Sequence, residues 1–434
     1  MKLFLITVLL LLLNVVALPQ NQLSLDEAIK IALQKNSGLI SQENELSRSE
    51  SSLDAAYGNF LPDLGAYGSW DWSKTKSDIR TTDTRSYSVG ASSNIVLFDG
   101  LSNYANLSRS KNSVEAVKLL IEQKKQEVVF QTINFYYSVV ESDQLLKVRE
   151  EDVKQQQKNL ETIEERNRLG SVTMADVYQQ QVQLGNAELE VIRAKNTLET
   201  AKSNLLFYLG LDVLENFTYS DTFTKRELTV LETDINNDYD KLNELVTSAL
   251  ENRKDYLAQK LTLDSYYDNL TIAKSGHFPR LTGSLGYGTG ADVPSNLFKT
   301  NTYSAGLTLN IPIFSGFQTQ NSIQSAEVDA MNYELQLKDS ERLVKQELQK
   351  SFLDLDAAKK GLLVTGKNIK AAEENLKIEQ EKYNLGAGKL LDVLIANTTY
   401  QNAKTNYINA QFYYIRLSDE LKYNLGVLEY SQYE

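Results

Sequence analysis

Asp63 and Asp71 stand an even number of residues apart in a stretch whose apolar residues alternate like those of a strand. That spacing sets both carboxylates on one strand face, and a carboxylate pair is the minimum equipment for general acid–base hydrolysis. Nothing in the sequence completes such a site. The one histidine, His277, sits beside Phe278-Pro279, and cysteine is absent. Zinc ligation and a nucleophile–histidine triad therefore have almost nothing to draw on. The formal net charge of −12 argues against nucleic acid, because phosphate binding needs a basic footprint. No enzyme activity, metal or cofactor is expected.

The N-terminus gives the compartment. Lys2 precedes an almost unbroken apolar run from Leu3 to Ala17, followed by Pro19-Gln20-Asn21-Gln22. This has the shape of a cleaved signal peptide over residues 1–22 and is short for a membrane-spanning helix. No later run of apolar residues is long enough to span, and without cysteine neither a lipid anchor nor a disulfide is available.

The rest of the chain repeats itself. Phe60-Leu61-Pro62 returns as His277-Phe278-Pro279, Phe98-Asp99-Gly100 as Phe314-Ser315-Gly316, and Leu169-Gly170 as Leu385-Gly386. Asp176-Val177 returns as Asp392-Val393 and Leu209-Gly210 as Leu425-Gly426, always 216 or 217 residues later. A duplicated unit follows. The expected organisation is a first repeat over 23–215, a polar linker over 216–238, a second repeat over 239–426 and a tail over 427–434.

Each repeat carries two segments that alternate with a period of two, predicted as strands at about 63–75 and 86–98, and at about 280–290 and 302–314. Tyr303, Ala305, Leu307, Leu309, Ile311 and Ile313 alternate with Ser304, Gly306, Thr308, Asn310 and Pro312. Polar loops, 73–85 and 290–302, are expected to close the hairpins. The length and pattern fit a tilted strand crossing an outer membrane, with Trp70, Trp72, Tyr87, Tyr287 and Tyr303 as an aromatic girdle at the lipid interface. A soluble sheet packed on one face alternates in the same way.

From about Ser102 to Leu169 the pattern is helical and free of proline, for roughly 100 Å. After a turn, Val177, Leu184, Val191, Leu198 and Leu205 recur every seven residues, and Val393, Tyr400, Tyr407, Tyr414 and Leu421 answer them. So narrow a stripe predicts left-handed, side-by-side helix packing with much polar surface remaining. Arg149-Glu150-Glu151-Asp152 is read as a solvated face. Thr173 to Asp176 reads as a capping box, and Gly170 and Gly386 as helix ends with positive φ.

Four strands cannot close a barrel, and an open edge in lipid leaves backbone groups unsatisfied. Several copies must share one barrel: two would give a filled eight-stranded pore, three about twelve strands with a lumen.

Two repeats, each with a hairpin entered through Phe-Leu-Pro or Phe-Pro and left through Phe-Asp-Gly or Phe-Ser-Gly, resemble the TolC family of outer-membrane efflux proteins. Residues 167–177 and 383–394 resemble its helix–turn–helix tips, and the likeness runs from Leu23 to Gly426. It implies an α+β membrane protein: a duplicated unit of long antiparallel coiled-coil helices with a β-hairpin each. Three copies would form a 12-stranded transmembrane β-barrel on a periplasmic α-barrel. It further implies a homotrimer in outer-membrane lipid, a periplasmic adaptor (membrane fusion) protein and an inner-membrane efflux or secretion transporter. Asp176, Tyr383 and Asp392 match its periplasmic gate. Leu169, Gly170, Val172, Leu385 and Gly386 match the turns an adaptor grips. Gly388 and Ile395 depart from it, standing where a basic and a second acidic residue occur in the family, so a gate held less firmly shut, or by different contacts, is expected. The expected function is an export channel subunit for small molecules or proteins. The alternative is a non-conducting periplasmic coiled-coil scaffold.

Overall fold

The computed structural model describes residues 22–219 and 239–433. The expected signal peptide, apart from its last residue, and most of the expected linker lie outside the described residues. In chain order the elements are β1 (Gln22–Leu23), α1 (Leu25–Lys35), α2 (Ser37–Gly58), β2 (Gly65–Lys76), β3 (Thr81–Phe98), α3 (Ser102–Arg168) and α4 (Met174–Tyr208). They continue as β4 (Thr218–Tyr219), α5 (Tyr239–Asn252), α6 (Lys254–Ser275), β5 (Arg280–Ala291), β6 (Asn301–Asn310), α7 (Gln318–Asn384) and α8 (Leu390–Asn424). The two halves match in length: 22 residues in α2 and α6, 67 in α3 and α7, and 35 in α4 and α8. None of the described helices is long and apolar enough to cross a membrane.

Residues 41–123 and 253–343 make one compact unit, and the remaining segments, up to 40, 124–252 and from 344 onward, make another. Neither coincides with a sequence repeat, because α3 and α7 each contribute to both units.

The first unit contains the sheet, antiparallel in the order β2-β3-β5-β6. Its register settles which side chains share a face. Trp70 opposes Tyr87, Ala91 opposes Tyr287, Tyr287 opposes Tyr303, and Gly283 lies between Ile95 and Leu307. The opposite face pairs Ser69 with Ser88, Asn94 with Ser284, and Ser284 with Gly306. One face is thus apolar and aromatic, and the other is mostly Ser, Gly, Thr and Asn, with Tyr67 lying against Gly90.

The hairpins are longer than expected. Ser73 to Lys76 pair with Thr81 to Thr84, so only 77–80 remains of the first loop. Three of the residues in that pairing's return strand are threonines, which suit an extended backbone. The second loop shrinks to 292–300 and holds a short 3-10 turn at Pro294–Asn296. β6 ends at Asn310, not near 314, because Pro312 has no N–H to give a ladder.

In the second unit α3 lies between α4 and α8. Gln180 of α4, fully buried, donates to Gln156 Oε1 at 2.8 Å, and Asn397 of α8 donates to Asp152 Oδ1 at 3.1 Å. Arg416 meets Glu141 at 2.7 Å, while Tyr137 and Phe412 pack within one aromatic pair. On its other side α8 meets α7, where Leu376 clusters with Val393 and Ala396 and Asn424 donates to Ser351 Oγ. The acidic run read as solvated is engaged on both flanks: Glu150 with Lys195 of α4, Glu151 with Lys404 of α8. Both carboxylates keep substantial exposure, so these pairs orient the helices more than they stabilise them. β1 pairs in parallel with β4, which falls inside the stretch read as linker, and the Tyr136 hydroxyl of α3 donates to the Leu23 carbonyl.

Candidate functional site

The tips of the helical hairpins are built alike. α3 stops because Gly170 takes φ +71°, letting the Gly170 and Ser171 amides donate back to the carbonyls of Asn167 and Arg166. α7 stops in the same way at Gly386, with φ +75° and bonds from Gly386 and Ala387 to Tyr383 and Lys382. A left-handed residue with this paired bonding satisfies the last carbonyls of a helix, and glycine adopts it without a Cβ clash.

The second arms begin differently. Thr173 caps α4: its hydroxyl accepts from the Asp176 amide at 3.3 Å, and Asp176 Oδ2 accepts from the Thr173 amide at 2.9 Å. Asn167 Nδ2 braces this turn on the Val172 carbonyl. Lys389, at the start of α8, gives no side-chain cap. Thr173→Ala should therefore lower the local stability of the first tip by about 1 kcal/mol, the usual worth of an N-cap. Hydrogen exchange at residues 174–177 should quicken, with the amides of α8 unchanged.

One small core joins the two tips. Leu160, Ile163, Val177, Leu390 and Leu394 form a buried cluster, against which Val172, Leu184 and Tyr383 pack. Arg166 reaches across it. Its guanidinium carbon lies 4.7 Å from the Tyr383 ring centroid, and Nη2 donates to Asn384 Oδ1 at 3.1 Å. A guanidinium stacked on an aromatic ring and bonded beside it is a directional clamp that a lysine cannot reproduce. Sequence reading missed Arg166, because a basic residue in a last helical turn reads as dipole complementation. Its counterpart Lys382 pairs with Glu379 on its own helix.

Of the gate residues expected from resemblance, Tyr383 is held under Arg166, with its hydroxyl oxygen enclosed and unpartnered. Asp176 is occupied by the capping box, and Asp392 is exposed at the other tip. Within one copy the three are not brought together by a hydrogen bond. At Gly388 an added Cβ would come within 3.1 Å of both Lys382 Cβ and the Tyr383 amide nitrogen, which disfavours a side chain there. Of the docking residues, Leu169 and Leu385 point outward, 67% and 84% exposed, whereas Val172 turns into the shared core. In the second unit α4 and α7 also leave apolar residues uncovered: Tyr178, Val182 and Ile192 on one, Leu353, Leu363 and Val364 on the other.

On the sheet, Trp70, Trp72 and Tyr303 stand more than half exposed on the apolar face, with Tyr87 and Tyr287 beside them. The Trp72 indole N–H donates to Asp83. Asp63 lies before β2 and receives the Asn94 amide, while Asp71 receives the Ser69 hydroxyl. The two carboxylates serve separate local bonds along the polar face and do not meet.

A sequence profile described as outer membrane efflux protein matches residues 28–211 and 245–426. The chain is 22% identical over 403 residues to outer membrane protein TolC of Salmonella enteritidis, covering 88% of this chain and 79% of that protein. It is 22% identical over 407 residues to the TolC protein of Escherichia coli strain K12, covering 88% and 80%. Its fold matches the crystal structure of a membrane protein from Pseudomonas aeruginosa with a TM-score of 0.82 at 18% identity, covering 93% of this chain and 92% of that one.

Proposed function

Since this chain belongs to the outer membrane efflux protein family, we propose that three copies close one twelve-stranded barrel in the outer membrane and conduct small molecules or proteins outward. The carrying observation is the sheet: one apolar face, one face of small polar residues, and unpaired edges on β2 and β6. In lipid those edges must pair, and β6 of one copy with β2 of the next is the pairing that keeps the sheet antiparallel all round. The girdle Trp70, Trp72, Tyr87, Tyr287 and Tyr303 then meets lipid, and the Ser, Gly, Thr and Asn face lines the lumen. The uncovered apolar residues on α4 and α7 fit the same closure, as surface that a neighbouring copy could cover.

The helical part extends into the periplasm, where Leu169 and Leu385, flanked by Gly170 and Gly386, offer small apolar knobs to a periplasmic adaptor. An inner-membrane transporter would supply the energy. Asp176, Tyr383 and Asp392 would stand around the periplasmic entrance, with Arg166 fixing Tyr383. No catalytic role is assigned.

Conductance tests the function. Purified protein added to a planar lipid bilayer should give discrete current steps that scale with salt concentration. A protein that leaves the envelope without detergent and gives no steps would instead be the periplasmic scaffold.

A further inference from the structure

Two non-glycine residues in the described chain have positive φ: Leu101 at +74° and Phe317 at +65°. They occupy the same place in the two repeats, directly after Gly100 and Gly316, where a strand hands over to a long helix. Each turn is otherwise well made. Asp99 Oδ2 accepts from the Asn103 amide, and Ser315 Oγ meets Thr319 Oγ1 at 2.9 Å. At Gly100 the packing is so close that a Cβ would lie 2.6 Å from Phe278 Cβ.

The left-handed region is unfavourable for residues with a Cβ, and large apolar side chains there are rare. Nevertheless both positions carry one, and neither is covered: Leu101 is 54% exposed and Phe317 75%. Glycine or asparagine would relieve the backbone in water. Strain retained twice, on exposed apolar side chains, needs an apolar medium to meet it.

The surroundings continue the sheet's apolar face. A bulge between Val96 and Phe98 sets Phe98 opposite Leu281, which itself opposes Leu309. On the other turn Phe314, 75% exposed, packs edge-on against Phe317 at 5.5 Å. We infer that Leu101 and Phe317 are lipid anchors, held by their backbones to seat among acyl chains of the periplasmic leaflet at the foot of the barrel. This rests on the membrane-barrel reading above.

Sheet position favours lipid over a second copy. Phe317 follows β6, an edge strand, but Leu101 follows β3, which is flanked by β2 and β5. A neighbour joined at the sheet edge could reach the first and not the second. Only a medium surrounding the barrel serves both.

The native chain has no cysteine, so single thiols can be introduced cleanly. Leu101→Cys and Phe317→Cys would be spin-labelled in the full-length protein reconstituted in phosphatidylcholine vesicles. Collision with oxygen and with a water-soluble nickel chelate would then be measured. Val89→Cys, on the apolar face, and Ser88→Cys, on the polar face, calibrate lipid and lumen. At 101 and 317 the oxygen-to-nickel ratio should match that at 89 and exceed that at 88 severalfold. Nickel access at 101 and 317 with lipid values at 89 would overturn the anchor alone. Protection from both reagents would overturn it in favour of a second copy. Nickel access at 89 as well would overturn the barrel. Should Phe317→Cys fail to insert, Phe314→Cys reads the same turn.

Discussion

Arginine in place of Leu285 is expected to destabilise the inserted protein by about 2–4 kcal/mol per copy, while arginine in place of the adjacent Ser284 leaves stability nearly unchanged. Leu285 lies midway along β5 between Ser93 and Ala305 and is 62% exposed in a single copy. In a barrel its exposure is to hydrocarbon, where a guanidinium loses its hydration and finds no counter-charge. Ser284 projects from the opposite face, between Asn94 and Gly306, where an arginine would reach lumenal water. Denaturant unfolding of the two variants in phospholipid vesicles separates these outcomes. Equal, small effects within about 0.5 kcal/mol would indicate that both faces are wet, as in a soluble hairpin. Lumenal arginine should also shift ion selectivity towards anions, which Leu285→Arg cannot do from the lipid side.

The second large effect belongs to the tips. Arg166→Ala removes the guanidinium from the Tyr383 ring and its bond to Asn384 Oδ1. After allowance for partial exposure, such a stacked and bonded cation is worth about 1–2 kcal/mol. That is a factor of roughly 5–30 between latched and released tips. The second tip, whose helix starts without a side-chain cap, is the arm that gains freedom. Single-channel recordings should show Arg166→Ala with greater mean conductance and more frequent openings, and Arg166→Lys in between, because lysine keeps charge but not the planar fork. Asp392→Asn, which removes no bond within a copy, is the comparison. If Asp392→Asn opened the channel and Arg166→Ala did not, the closure would lie between copies and not within one.

Much of the architecture was legible because it is written twice. A pair such as Leu169-Gly170 and Leu385-Gly386 is weak alone, but its recurrence with Phe98-Asp99-Gly100 and Phe314-Ser315-Gly316 fixed the order of elements. Period-two alternation then separated the apolar from the polar side of each strand, and the register brings Trp70 beside Tyr87 and Tyr287 beside Tyr303. Hairpin ends were harder to read: the threonines at 81, 82 and 84 are polar like a loop yet favour a strand, so the first loop looked too long. The acidic run at 149–152 keeps much of its exposure, as read, but its partners Lys195, Lys404 and Asn397 could not be read because they are distant in sequence. Arg166 was hidden for the same reason, since its ring partner lies more than 200 residues away. Positive φ at Leu101 and Phe317 has no signature in residue type, as nothing about leucine or phenylalanine suggests it.

The mass of the unheated, detergent-extracted particle tests the shared barrel most directly. Native mass spectrometry or light scattering should find three copies, and the assembly should need detergent to stay in solution. A monomer or dimer that remains soluble without detergent would contradict the shared membrane barrel.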